Sequence, residues 1–428
     1  MRYHRKLTLF VLVAAMTLLA VNAPKITSAQ SDTVTLNFVY GAFAPQSQWE
    51  AYFKDFLSAH PNIRINYIPV SLDNGWAGYT DKIVTLIAGG QSIDVIWTAI
   101  ESVPMLAEKG VLSPLDGQLT KDASSIKEYL DDVDPTLFNG LKWKDHQYLL
   151  PFAWNNEVIW YNPKLFKDAG LKEPADGWTW QEFLADAHAL THTNSDGQID
   201  RYGFVVDPSW FGTAPWYITN GTNVLTPDFA GPNFDDPKVA DTLQWLHDLV
   251  WKEKVAPSDT KFPMYEYFAA GNLAMFSGGR WPLESLKPMG TTDFQIAPWP
   301  KNVKSGTVFG TDGYGVTVNA QHPDEAWQLV KELISTKVMS HLVGLTGASG
   351  SIPARRSLAL GKDIATLPPT NFHFWYDSLA YAQKVSNPPN YPDLTRIYDR
   401  YVSLIMSNEM SVQEAVGHMQ DEMKVTFK

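Results

Sequence analysis

Residues 150–162 read LPFAWNNEVIWYN, and Trp154, Asn155, Asn156 and Glu157 stand in the middle of an otherwise apolar run. An indole beside two amides and a carboxylate has the means to hold a polyhydroxylated molecule: the ring stacks on an apolar face, and the polar groups take hydroxyls. Polar groups that interrupt a buried strand line something. The stretch is therefore expected to cross from one domain to a second through a cleft, with Pro151 and Phe152 in the crossing and Trp154 and Asn155 turned to a ligand. Glu157 is assigned a structural role. Related chemistry recurs along the chain. Gln46, Asp73, Asn74, Trp76 and Glu101 fall in three short loops, and Trp210 and Phe211 form one of two aromatic clusters in loop-like company, the other being Trp216 and Tyr217. Gly278 and Gly279 end an apolar run just before Trp281-Pro282, so a ligand could approach the backbone and the amides of the helix that follows. The carboxyls of Asp73, Glu101, Glu157 and Asp312 could instead supply the acid and base of a secreted glycoside hydrolase, but no motif selects two of them.

The elements that must position these residues follow from periodicity. Val34, Leu36, Phe38 and Tyr40 alternate with polar residues and predict a strand ending at Gly41; Trp49, Phe53, Phe56 and Leu57 recur at helical spacing up to His60-Pro61. A strand over 63–68, a helix over 79–88 closed by Gly89-Gly90, and a short strand over 93–97 continue the series. The order β-α-β-α-β implies a parallel sheet with helices on its faces, whose ligand lies beyond the carboxyl ends of the strands. Those ends are the loops 41–48, 71–76 and 98–102, which carry Gln46, Asp73, Trp76 and Glu101. Further on, a strand over 202–206, a buried strand over 273–276 and an amphipathic helix after Pro323 are expected, with a helical remainder from Asn371.

At 428 residues the chain is long enough for two domains, and its 16 Trp, 18 Tyr and 21 Phe exceed what packing needs. Residues 1–29 combine a basic start, an apolar run from Leu7 to Val21 and small residues near Ala29, the pattern of a secretory signal cleaved after Ala29. Gln30 follows, so no lipid-bearing cysteine is expected there, and the product is expected to be exported to the periplasm or cell exterior as a soluble protein. The chain has no cysteine, which excludes thiol catalysis and cysteine-ligated metals. Removing the segment takes the net charge from −12 to −16, because Arg2, Arg5, Lys6 and Lys25 leave with it and no acidic residue does. So acidic a surface argues against nucleic acid as a partner. Residues 193–200, TNSDGQID, partly match a calcium loop through Asn194, Asp196 and Asp200, yet His192 takes the place of the first acid and Gly203 that of the closing glutamate. A polar turn is the better reading, and neither metal nor cofactor is expected.

Several segments together resemble the extracellular solute-binding proteins of ABC importers, specifically the sugar-binding family that includes the maltodextrin-binding protein. They are the signal, LPFAWNNEVIWYNPKLFKDAGL, GNLAMFSGGRWPLES, GTDGYGVTVNAQHPDEAWQLVKEL and SIPARRS, in that order over nearly all of the mature chain. The resemblance implies a type II periplasmic-binding-protein fold: α/β, two lobes, each a mixed sheet flanked by helices, joined by a hinge of crossing segments near Pro151, Pro298 and Ser351. One lobe would comprise 30–151 and 300–348, the other 152–299 and 349–428. It implies that Trp97 lies near the cleft at the end of the third strand, that Asn155 sits where relatives have a polar sugar contact, and that Trp210, Phe211, Trp281 and Trp375 match aromatic positions. Asp312 and Tyr314 would follow the second crossing and Arg355 the third. Two departures stand out: maltodextrin binders carry an acid at Asn155, and their aspartate-lysine pair has no equivalent in 41–48. The implied partners are a carbohydrate and an ABC permease, with the chain itself a monomer.

Overall fold

In the computed structural model, which describes residues 33–73, 75–259, 261–343, 350–362 and 368–427, the secretory-signal segment and Asn74 lie outside the described residues. Among the described residues fourteen strands run in chain order: β1 (Val34–Gly41), β2 (Ile63–Val70), β3 (Val95–Ala99), β4 (Lys142–Trp143), β5 (His146–Gln147), β6 (Leu150–Asn156), β7 (Val158–Tyr161), β8 (His192–Thr193), β9 (Ile199–Arg201), β10 (Met275–Gly278), β11 (Gln295–Ala297), β12 (Thr307–Val316), β13 (Ile352–Pro353) and β14 (Ala382–Lys384). A seven-stranded sheet has the order β13-β6-β12-β3-β1-β2, with β14 also on β12, and a three-stranded sheet has the order β10-β7-β11. β1 pairs parallel with β2 and β3, as the alternation with helices predicts. The two-lobed α/β architecture implied by the resemblance is the one observed.

Residues 150–162 form two strands, as the polar interruption of the apolar run predicts. β6 joins the large sheet and β7 the small one, and the break between them is Glu157. β12 is the other element of this junction. Its residues 309–314 pair with β6, 312–316 with β3 and 307–309 with β14, so one strand is flanked in turn by several neighbours. Its register slips between Asp312 and Gly313. Gly313 and Gly315 permit the close pairing, since a Cβ there would meet the carbonyl oxygens of Leu150 and Tyr148 at 2.1 and 2.4 Å.

Four local expectations are revised. The helix expected over 79–88 starts earlier, at Gly75, whose φ of +63° suits glycine and brings Trp76 into the first turn. The strand expected over 202–206 is reduced to a single bridge between Tyr202 and Leu273. The clusters at 210–217 are helical, Trp210–Thr219, with Pro215 inside and Ser209 as N-cap accepting from the Gly212 amide. The internal proline hid that helix, and Trp216 and Tyr217 are buried in it. The stretch after Asn371 is not continuously helical, because β14 separates the short helix His373–Asp377 from the long ones Tyr391–Met406 and Val412–Thr426.

Candidate functional site

A cavity of about 490 Å³ opens where the end of β3, the middle of β12 and the helices Gly75–Ala88, Trp210–Thr219, Pro282–Leu286 and Tyr391–Met406 converge. Of the residues singled out from the sequence, Trp76, Trp97, Glu101, Asn155, Trp210, Phe211, Trp281 and Asp312 line it. Trp76 and Trp97 pack with ring centroids 4.9 Å apart on one side, and Phe211 and Trp281 with centroids 6.2 Å apart on another. Two indoles are seated on glycines. A Cβ on Gly41 would meet the Trp97 ring at 2.3 Å, and one on Gly279 would meet the Trp281 ring at 2.2 Å.

The polar groups are held as firmly. β3 and β12 pair with Trp97 opposite Tyr314, which lets the Trp97 indole N–H donate to Asp312 Oδ1 at 2.7 Å. Burial pushes the Asp312 carboxyl up to about 8, with the Trp97 bond opposing and the Glu101 charge reinforcing the shift. Glu101 is pushed up to about 7, again by burial, against its own backbone hydrogen bond and the Lys384 ammonium. Asn155 ties three segments together: its Nδ2 donates to Ser351 Oγ at 3.1 Å and its Oδ1 accepts the Arg280 amide at 2.9 Å. Its side chain thus fixes the start of the Trp281 helix against the strap before β13.

The other expected contacts lie elsewhere. Trp154 is buried, donating to the Pro353 carbonyl at 3.2 Å with its edge to Tyr376, so it locks β13 onto β6. Tyr314 shares a strand face with Asp312 and stands opposite Trp97, yet it is fully buried between Phe38 and Phe152 and does not reach the cavity wall. Arg355 is buried over the Tyr129 ring, donating to the Ile334 carbonyl and to Glu128. Trp375 packs in the core on Trp160, and Gly279 is represented by a backbone carbonyl that receives the Trp160 indole N–H at 2.9 Å. Gln46 is exposed and bonded to Glu50, and Asp73 is exposed in its loop. Glu157 is fully buried and its pKa is raised well above the ordinary value by desolvation and then by Asp207, in keeping with a structural position. In the calcium-like stretch, Asn194 Oδ1 accepts the amides of Asp196 and Gln198 and Asp200 pairs with His192, which makes it the turn of the β8–β9 hairpin. No group of three or more metal-ligating side chains occurs among the described residues.

Sequence reasoning missed Phe43, Glu284, Tyr391, Thr395 and Asp399, all in the wall. Tyr391, Thr395 and Asp399 recur every fourth residue on one helix, and Glu284 follows Trp281 by three. Helical spacing from a known aromatic was the available signal.

The model of the bacterial extracellular solute-binding protein family matches residues 40–340. The chain is similar to a maltotriose-binding protein of Pyrococcus abyssi, 24% identical over 57% of this chain and 51% of that one, so the match spans about half the length of that relative. It is 26% identical to a diacetylchitobiose-binding protein of Streptomyces coelicolor over 66% of this chain and 65% of the other. Among solved structures, an ABC substrate-binding protein of Listeria monocytogenes in complex with cycloalternan superposes with a TM-score of 0.79 at 21% identity, covering 92% of this chain and 99% of that one. A maltose-bound protein of T. maritima superposes with a TM-score of 0.74 at 18% identity, covering 92% and 99%.

Proposed function

The chain belongs to the bacterial extracellular solute-binding protein family, and on that premise we propose that it captures a carbohydrate, an oligosaccharide in particular, in the aromatic cavity and delivers it to the membrane permease of an ABC importer. The observation that carries this reading is the pairing of chemistries in one wall: the rings of Trp76, Trp97, Phe211 and Trp281 stand beside the carboxyl and amide groups of Glu101, Asp312 and Asn155. A pyranose presents an apolar face and a rim of hydroxyls, which is the complement of that wall. Relatives whose names specify maltotriose and diacetylchitobiose support the same ligand class.

In this reading the lobes comprise 30–151 with 300–348 and 152–299 with 349–428, with β6, β13 and β14 carrying chain of the second lobe into the large sheet, and ligand bound between the lobes shifts the population toward a closed form that the permease recognises. Exported to the periplasm or cell exterior, the protein works as a monomer without nucleic acid or metal. No helix among the described residues is long and apolar enough to cross a membrane. The family membership is of binding proteins rather than enzymes. Incubating the protein with a panel of mono- and oligosaccharides tests the reading: stoichiometric binding without new products is expected, whereas turnover would identify a glycoside hydrolase and overturn it.

A further inference from the structure

Four carboxyl side chains from four separate elements reach the cavity wall: Glu101 beyond β3, Asp312 on β12, Glu284 on Pro282–Leu286 and Asp399 on Tyr391–Met406. Among the described residues lining it there is no lysine, arginine or histidine. Glu284 has a counter-charge in Arg280, and Glu101 feels the Lys384 ammonium, both placed outside the lining. Among the described residues, Asp312 and Asp399 are compensated by neutral donors. Asp312 receives the Trp97 indole N–H, and the charge acting on it is Glu101; Asp399 is held by the Trp210 backbone amide, and the charge acting on it is Asp207. Glu101 is only 4% exposed, yet its Oε2 has no hydrogen-bond partner.

A neutral hydroxyl satisfies a carboxylate's lone pair but brings no charge to offset the cost of burying an anion. An ammonium supplies donors and the missing charge together, and the indole faces of Trp76, Trp97 and Trp281 attract cations as well as sugar faces. We propose, resting on the solute-capture reading above, that the cavity selects a carbohydrate carrying a protonated amine over neutral sugars of the same length, with Asp312 as the acceptor for the ammonium and the buried carboxyl of Glu101 adding its charge from behind the wall. The sugar ring still stacks on the indoles; the amine decides which sugar is retained. Asp399 adds attraction from the opposite helix.

Calorimetric titration of the full mature chain at neutral pH with a glucosamine trimer, its fully N-acetylated counterpart and maltotriose tests this. The amine-bearing trimer is expected to bind at least about tenfold tighter than the other two. Added salt should shrink that advantage, and Asp312→Asn should remove most of it while retaining the acceptor for Trp97. Asp399→Asn provides a second carboxylate deletion should the first fail to fold. Equal or tighter binding of the acetylated trimer or of maltotriose overturns the amine selectivity and leaves carbohydrate capture standing. Absence of binding by all three also overturns it, and the wider saccharide panel then decides the capture reading separately.

Discussion

Asp312, the proposed acceptor, illustrates how a buried carboxyl is carried at a cost to the empty protein. Its carboxyl and that of Glu101 bind protons in the folded state up to about 8 and about 7, whereas in the unfolded chain they release them in the ordinary carboxylate range. Their contribution to stability is therefore full below that range and is lost as pH rises through the folded values. The melting temperature of the unliganded protein should fall between mildly acidic and mildly alkaline pH. Asp312→Asn should flatten that profile and stabilise the empty protein at the alkaline end by on the order of 1–3 kcal/mol; a destabilised variant there would show that desolvation of the charge does not dominate. For Trp281→Ala, calorimetry should show at least tenfold weaker sugar binding, about 1.4 kcal/mol or more, with the melting temperature little changed. Unchanged affinity would remove this ring from the site. At this scale the sequence was informative where aromatic residues adjoined glycines or strand ends, as at Trp76, Trp97 and Trp281. It was silent on Asp399, which reads as one more charge on a helix until that helix is docked.

Among the elements, the glycine seats explain why short strands end where they do. Trp281 lies over Gly279, and the same Gly279 Cβ position would come within 2.8 Å of Asn155 Oδ1. Gly279→Ala must displace either the ring or the amide that holds the Arg280 backbone, and overpacking of this kind costs about 1–3 kcal/mol. Affinity should drop with it, measurable by quenching of tryptophan fluorescence on titration; retained affinity would show that the ring has another seat. The division of residues 150–162 into β6 and β7 was legible as a polar interruption of an apolar run, although Asn155 and Asn156 still belong to β6 and Glu157 alone makes the break. The helix Trp210–Thr219 was not, since Pro215 and the dense aromatic run conceal its period. Trp154 and Tyr314 failed as cleft residues for different reasons: alternation turns Trp154 away from the side of Asn155, whereas Tyr314 shares the face of Asp312 and is covered there by Phe38 and Phe152, neighbours distant in sequence.

For the whole molecule, the helices Gly75–Ala88 and Tyr391–Met406 face each other at the cavity, and Arg396 reaches from one to Asp81 on the other at 3.4 Å while also pairing with Asp393 on its own helix. Both partners of the longer pair are about half exposed, so water and salt screen it. Arg396→Ala should change ligand affinity by no more than about 1 kcal/mol, with the difference vanishing at high salt; a larger loss in calorimetry would make the pair a principal clasp. The parallel pairing of β1 with β2 and β3 was visible in the order of strands and helices, and the two-lobed plan in the family resemblance. The closing of one wall by Tyr391–Met406 was not, because it depends on how the last third of the chain folds back.

The placement of β12 also governs when the protein can become itself during synthesis. Trp97 and Ala153 must wait for Tyr314 and Asp312, more than 150 residues downstream, before β3 and β6 gain their common neighbour. A growing chain that has not reached Thr307 leaves one edge of β3 and both edges of β6 unpaired and the large sheet unfinished, and such distant pairing is slow to form. In the export reading, this order of completion keeps the large sheet open until Thr307–Val316 has been made.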